Sequence, residues 1–472
     1  MQDKRFDLTL GKWGPYNKEY LGVCHVANDE LGASFNVELF PGFFRRRVLV
    51  SHANTDNGLK MWGANPDLTR FSYRYELEWK DAVYCDADFA ITDDKRVDIA
   101  CTFVNNTEMP QSVNMNLCAS LQYPTVKVGR DVAGYRIPCA VRLPEGCRII
   151  DALDYTDIKC AETLAQDGRY LGELSTDGAS GKSTILYGKL FFSPEHYVAY
   201  TSPCGAGALL IRYMSCEPTS LVLSVDGVAQ IIELSASSGY GVITVAADIG
   251  VGSVIELRPR GKQVSLDCIV VGDRASETEF LPMQSSLEPE RVVSGNKMTL
   301  KYEGIPTTYT IEWCEPAQMV RRYYYSDIGK ALQLCTHDHV NTVLRAQDGL
   351  GVYENVLSDP IFLAPGESRT LHFTVTSAPC DKPSETPALY RVASNSDGEK
   401  YAFSQNMMAA TTFLNVVYPI YTRRQYIRHN TPGRNWDCLY SWDSGFIGMG
   451  LATADFDRAF ECLYTYLTPV GG

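Results

Sequence analysis

The residues best equipped for chemistry lie between 428 and 446. They read Arg428-His429-Asn430-Thr431-Pro432-Gly433-Arg434-Asn435-Trp436-Asp437, then Cys438-Leu439-Tyr440-Ser441-Trp442-Asp443-Ser444-Gly445-Phe446. Flat aromatic faces beside a carboxylate suit a pyranose ring, which offers C–H faces to stack and hydroxyls to donate. In that reading Asp443 accepts hydrogen bonds from two sugar hydroxyls, and Trp442, Tyr440, Trp436 and Phe446 line the pocket. The same spacing also allows Asp443 or Ser441 to cap the next helix while the rings fill a core. Arg434 and His429 either complete the rim or are solvated loop charges.

Other candidate clusters offer less. Cys335-Thr336-His337-Asp338-His339 would place its thiol and both imidazoles on one face of a strand. No fourth ligand stands nearby in sequence, so a metal site is not expected. Gly178-Ala179-Ser180-Gly181-Lys182-Ser183 imitates a phosphate loop, but Thr176 occupies the place of its first glycine. Lys12-Trp13-Gly14-Pro15-Tyr16-Asn17 and Phe40-Pro41-Gly42-Phe43-Phe44-Arg45-Arg46-Arg47 read either as turns with aromatic anchors or as loops reaching over a neighbouring site. With seven histidines in 472 residues, no Ser/His/Asp arrangement can be picked out.

The elements that must position these residues follow from periodicity. From about 5 to 378 the pattern is mostly period two, as in Phe71, Tyr73, Tyr75, Leu77 and Trp79 alternating with polar residues. Further strands are expected at Val97–Val104, Gln111–Leu121, Ala208–Met214, Ser220–Val225, Ile231–Leu234, Val254–Leu257, Cys268–Val271, Thr307–Trp313 and Thr370–Thr376. Turn chemistry such as Asp226-Gly227 separates them. Asp151–Asp167 reads as the one helix of this half. So many strands with so few helices predict a large antiparallel sandwich over 1–380.

After Cys380 the texture changes. Residues 381–400 read as a polar, proline-containing linker, with Thr386 and Pro387 suited to start a helix. Phe403, Met407, Ala410, Leu414 and Val417 then mark a helical face ending at Pro419. Gly445–Leu451 reads as a short helix. Asp455 would cap a last one, burying Phe456, Ala459, Phe460, Leu463 and Leu467.

Composition narrows the function. Hydrophobic content of 45% with 21% charged residues is ordinary for a globular chain, and a net charge of −13 argues against a nucleic-acid backbone reader. The N-terminus has no apolar run for a signal peptide, and no uncharged stretch reaches the length of a membrane span. Fifteen scattered cysteines without a CxxC fit free thiols in a reducing compartment, so a cytoplasmic location is expected.

The stretch Trp442-Asp443-Ser444-Gly445-Phe446 resembles the W-D-S-x-F signature that opens the (α/α)6 barrel of family 63-like glycoside hydrolases. That group includes mannosylglycerate hydrolase-like and glucosidase-like enzymes. Trp13-Gly14-Pro15-Tyr16 with Phe40-Pro41-Gly42 also looks like the N-terminal β-supersandwich attached to such barrels. The resemblance implies a mainly β supersandwich over 1–380, then the first helices of an (α/α)6 toroid over 401–472. Trp442 and Asp443 would hold the terminal sugar, and Tyr440, Trp436, Phe446 and Arg434 would add to the pocket, although Tyr440 departs from the family if a second Trp is expected there.

It further implies hydrolysis of short oligosaccharides or glycosides from the non-reducing end, with inversion, by a carboxylic acid and a carboxylate acting across a water. Both acids belong to later barrel helices, beyond Gly472. No cofactor is implied. The expected partners are a carbohydrate substrate and either a second chain or a C-terminal part that completes the barrel. Two rival readings are a glycan-binding scaffold subunit without chemistry, and a phosphorylase of similar domain plan.

Overall fold

The computed structural model describes residues 7–467 except 18, 30, 46, 51–58, 129–130, 136–138, 153, 160–171, 175–179, 181–182, 188–192, 261–263, 283–286, 326, 335–350, 423–424 and 435–439. The chain divides into two compact units, Met1–Tyr123 with Ser285–Thr468, and Pro124–Gln284 with Pro469–Gly472. Where the sequence reads one β domain over 1–380, a second unit is inserted between two strands of the first.

The first unit holds two eight-stranded antiparallel sheets. One runs in the order Trp13–Gly14, Gly22–Asn28, Ala33–Arg45, Gln111–Gln122, Val352–Ser358, Ala317–Tyr324, with Arg47–Val50 and Ile361–Leu363 at its side. The other runs Glu290–Ser294, Lys297–Lys301, Thr308–Trp313, Ser368–Thr376, Arg96–Asn105, Val83–Thr92, Arg70–Glu78, Leu59–Ala64. In Arg96–Asn105 the alternation does its expected work: Val97, Ile99, Cys101 and Phe103 are buried, while Asp98, Ala100, Thr102 and Val104 are partly exposed. Between the sheets Phe35 stacks on Tyr309 with centroids 3.7 Å apart, and Trp13 meets both edge-on at 6.3 Å.

The two N-terminal aromatic segments are anchors here. Trp13 is fully buried and donates Nε1–H to Ser377 Oγ at 2.9 Å. Tyr16, also buried, donates its hydroxyl to the Gly11 carbonyl at 2.7 Å, and Phe40 is fully buried. Burying each such ring contributes roughly 2–3 kcal/mol.

The strand Ala33–Arg45 departs from simple alternation. Phe35, Val37 and Leu39 face the sandwich core, yet Ser34, Asn36, Glu38 and Phe40 on the opposite face are buried too.

The second unit packs a six-stranded sheet and a five-stranded sheet around an aliphatic core that includes Leu209, Ile211, Leu221, Leu223, Ile255 and Leu257. The strand Asp157–Lys159 pairs with Tyr197–Ala199, which corrects the helix expected over Asp151–Asp167; residues 160–171 lie outside the described ones. Of the phosphate-loop-like segment, only Ser180 and Ser183 are described.

Four α-helices are described in the first unit: α1 (Ile328–Leu334), α2 (Ala402–Leu414), α3 (Ser441–Ala452) and α4 (Phe456–Leu467). The helix expected from Thr386 does not form. Side chains of neighbouring elements take up the backbone there: Thr92 Oγ1 accepts from Glu385 N, Asn65 Oδ1 from Tyr390 N and Asn406 Oδ1 from Val392 N. Arg70 Nη1 donates to the Pro387 carbonyl. Tertiary partners have outcompeted the helical ladder. Likewise α2 stops at Leu414, and Val417 belongs to the hairpin Val416–Thr422/Gln425–Asn430. Among the described residues three helices follow residue 400, and no (α/α)6 barrel is formed. No described helix is long and apolar enough to cross a membrane.

Candidate functional site

The site rests on the hairpin Val416–Thr422/Gln425–Asn430, which leads into α3 and then α4. Its base is tied to the N-terminal segment. Asp7 accepts from Arg428 backbone N at 2.8 Å, from Nε at 3.1 Å and from Nη2 at 2.7 Å. A short polar turn follows, with Thr431 N donating to the Asn415 carbonyl at 2.8 Å and Thr431 Oγ1 to the Gly433 carbonyl at 2.9 Å.

Tyr440 is the last residue before α3, extended at φ −107° and ψ 96°, and its carbonyl accepts from Ser444 N at 2.9 Å. The helix therefore starts at Ser441 with no side-chain cap, so neither Asp443 nor Ser441 serves as one. Asp443 sits in the first turn, partly buried, where free backbone N–H groups and the helix dipole favour a negative charge. Trp442 is 64% exposed and Phe446 65% exposed, one turn apart, meeting edge to face with centroids 5.5 Å apart. The indole is therefore free to stack on a ligand rather than fill a core. Trp436 lies outside the described residues.

Two of the residues named from sequence are placed elsewhere. Arg434 is buried, and all five of its N–H donors are occupied. Nε donates to the Asn17 carbonyl at 2.9 Å, Nη1 to Tyr73 Oη at 2.7 Å and to the Leu414 carbonyl at 3.0 Å, and Nη2 to the Pro15 and Asn17 carbonyls. It is neither a substrate ligand nor a solvated loop charge; it locks the loop to the sandwich. His429 is also fully buried, and burial pushes its imidazole down to about 4, so the ring is neutral.

That ring belongs to a relay that sequence reading missed. His429 Nε2 lies 3.1 Å from Tyr466 Oη, and Tyr466 Oη lies 2.7 Å from Ser444 Oγ. Burial raises the Tyr466 hydroxyl, which stays protonated. Ser444 follows Asp443 directly, so the relay fixes the first turn of α3 from behind. Only a three-residue coincidence across the hairpin, α3 and α4 creates it, and no local spacing announces it.

The outer surfaces of both helices are apolar. Trp442, Phe446 and Met449 form an exposed stripe on α3, and Phe456, Phe460 and Leu463 form one on α4. The sequence reading buried the α4 stripe; of the described side chains in that stripe only Ala459 is buried. The inward face of α4 instead carries Arg458, Ala459, Cys462 and Thr465. Arg458 donates to the Pro66 and Phe413 carbonyls and to Asn430 Oδ1, filling space an apolar side chain would otherwise take.

Two of the acids near Asp443 on the same hairpin of helices are engaged, while Asp457 in the first turn of α4 is exposed. Asp455 Oδ1 accepts from Arg458 N at 3.0 Å as the cap of α4, and Glu461 Oε2 accepts from Thr9 N at 3.0 Å. Among the described residues no group of three or more His, Cys, Asp and Glu side chains is placed to hold a metal ion. Residues 335–339, with both histidines of the metal-like cluster, lie outside them.

No family model matches the chain, and no curated protein matches it. Solved structures with partial likeness include the catalytic unit of the GH87 alpha-1,3-glucanase from Streptomyces thermodiastaticus, 17% identical over 27% of this chain and 26% of that one, TM-score 0.20. The Podospora anserina GH26-CBM35 beta-(1,4)-mannanase is 14% identical over 32% and 31%, TM-score 0.22. CsCBM6-3 from Clostridium stercorarium, in complex with cellobiose, is 15% identical over 27% of this chain and 93% of its own, TM-score 0.20. The chain spans about a quarter of the first glucanase structures it matches. These neighbours are glycoside hydrolases and a carbohydrate-binding module. At these TM-scores the likeness assigns neither a fold nor an activity to the chain.

Proposed function

We propose that this chain is part of a glycoside hydrolase in which Trp442, Phe446 and Asp443 form one wall of a saccharide pocket. The observation that carries the reading is the exposure of the Trp442 indole beside a carboxylate in the first turn of α3. A pyranose stacked on the indole would donate hydroxyls to Asp443, whose charge the helix N-terminus supports. Asp443 binds and orients; it is not assigned the chemistry. By the resemblance of residues 442–446, a terminal sugar would be cleaved with inversion by a general acid and base carried on other helices of such a barrel. Helices of that kind would cover the outward stripes of α3 and α4, since contiguous exposed apolar side chains mark interaction surfaces.

Isothermal titration of the chain with short glucosides and mannosides tests the binding wall. Trp442→Ala and Asp443→Asn should each weaken binding about tenfold or more, with melting temperatures near wild type. Binding that is unaffected by both substitutions would refute the wall. A second reading, a glycan-binding subunit without chemistry, is favoured by the engagement of Asp455 and Glu461 in capping and backbone contacts. Glycoside turnover by the chain, alone or joined to further helices, would exclude it.

A further inference from the structure

The strand Val228–Leu234 forms one edge of the five-stranded sheet in the second unit, and its neighbour in that sheet is Thr219–Val225. Asp226 and Gly227 join the two, at φ 48° and 86°, as the two-residue turn that matches strand twist. That turn makes Val225 and Val228 a hydrogen-bonded pair. Antiparallel alternation then gives the same role to Gln230 opposite Leu223, Ile232 opposite Leu221 and Leu234 opposite Thr219. The backbone N–H and C=O groups of Ala229, Ile231 and Glu233 therefore point out of the sheet edge, and no described backbone group bonds to them.

Protein edges are normally guarded by charge, proline, a bulge or shortness. The opposite edge of the same sheet, Asp157–Lys159, is three residues long with a charge at each end. In the six-stranded sheet the edge strand Gly241–Ile249 has a break in its register. Val228–Leu234 lacks these guards. It runs seven residues without proline, in unbroken register, with Glu233 as its one charge. Val228 is 77% exposed and Ile231 52%, and Ala229, Gln230 and Glu233 are exposed beside them. The strand is nonetheless held in place: Gln230 Nε2 donates to the Ala246 carbonyl of the facing sheet at 3.1 Å.

We propose that Val228–Leu234 is a self-association edge, pairing antiparallel with the same strand of a second copy about a two-fold axis at Ile231. Paired N–H and C=O groups repeating every ~6.8 Å are complemented by another extended backbone, not by a helix or a small ligand. The occupant is a second copy because the strand complements itself. With the axis at Ile231, Ala229 meets Glu233 of the second copy and Ile231 meets its own mate, so every outward N–H and C=O group of the three residues is used. An axis at Ala229 would leave Glu233 unpaired, and one at Glu233 would set two carboxylates face to face. Val222 lies opposite Ile231 on the neighbouring strand. The join therefore lines up Val222, Ile231 and their two-fold mates as one aliphatic row. Such a contact closes at two copies and makes the two five-stranded sheets continuous. It is independent of the Trp442 wall.

Sedimentation equilibrium of the Phe456→Ser, Phe460→Ser chain tests the edge without a contribution from the helix stripes. Over about a hundredfold range of concentration the average mass should climb from that of one chain towards that of two. Ile231→Lys, which brings two ammonium groups together at the axis, and Ile231→Asp should each raise the dimer Kd about fivefold or more. Melting temperatures should stay near that of the parent, because the side chain is exposed. An equimolar mixture of the two variants should associate again, since opposite charges then meet across the axis. A single-chain mass at every concentration overturns the proposal, and so does a dimer that Ile231→Lys leaves intact. Variants that dissociate but do not re-associate on mixing overturn the axis at Ile231.

Discussion

Arg434 separates a binding role from a structural one, and Arg434→Met is the substitution that decides. Methionine keeps an aliphatic stem of similar reach but removes five N–H donors. Those donors now serve the carbonyls of Pro15, Asn17 and Leu414 and the Tyr73 hydroxyl in a buried setting. A hydrogen bond from a charged donor contributes about 1.5–3 kcal/mol net. A simple sum would overshoot, because water re-pairs part of the group and the buried charge is itself relieved. Breaking a buried charged network typically destabilises by about 3–5 kcal/mol. For a unit of this size that lowers the melting temperature on the order of 10 °C. Differential scanning calorimetry reads the effect, with saccharide titration of the same variant below its melting point. The expected result is a large loss of stability with saccharide affinity retained. A variant that melts within about 2 °C of wild type but loses affinity would refute the structural assignment and return Arg434 to the pocket rim.

Other expectations follow from the same geometry. His429 is held neutral in the fold, at about 4 against an ordinary value of 6.5, so the unfolded chain takes up a proton first as pH falls from 6.5 towards 4. At pH 5 this removes about 2 kcal/mol of stability, which His429→Gln should lack when urea unfolding is compared at pH 7 and pH 5. Glu38 has the opposite sign: its folded value of about 8 lies above 4.5, so the stability it contributes is complete below pH 4.5 and is lost as pH rises to 8. Glu38→Gln should therefore gain on wild type across that window, on the order of 3 kcal/mol by urea unfolding at pH 7.5, and equal pH profiles would contradict it. Phe456→Ser with Phe460→Ser should stay folded, within about 1 kcal/mol of wild type, and self-associate less in sedimentation. Loss of the fold would show that α4 turns this stripe inward.

Most of the strands were legible because burying one face of a sheet forces a period of two, and Phe71–Tyr75 or Val97–Val104 display it without help from the rest of the chain; Trp79, expected on the same buried face as Phe71, instead lies exposed in the turn after the strand. The aspartate cap of α4 and the helix around Gly445–Leu451 were legible for the same local reason. Tertiary structure overruled local signals where distant partners bonded the backbone, as Thr92, Asn65 and Asn406 do along 385–392.

Amino-acid order alone determined the β-rich architecture, the helices α3 and α4, and the aromatic-acid stretch that makes Trp442 and Asp443 neighbours. Only the packed fold decided which way those groups point. It sent Arg434 and His429 inward, turned the α4 apolar stripe outward, linked Ser444 to Tyr466 and His429, and buried both faces of the strand over residues 33–42. Periodicity records that a side chain shares a face with its neighbours at two or four residues, but the identity of what covers that face is set by segments hundreds of positions away.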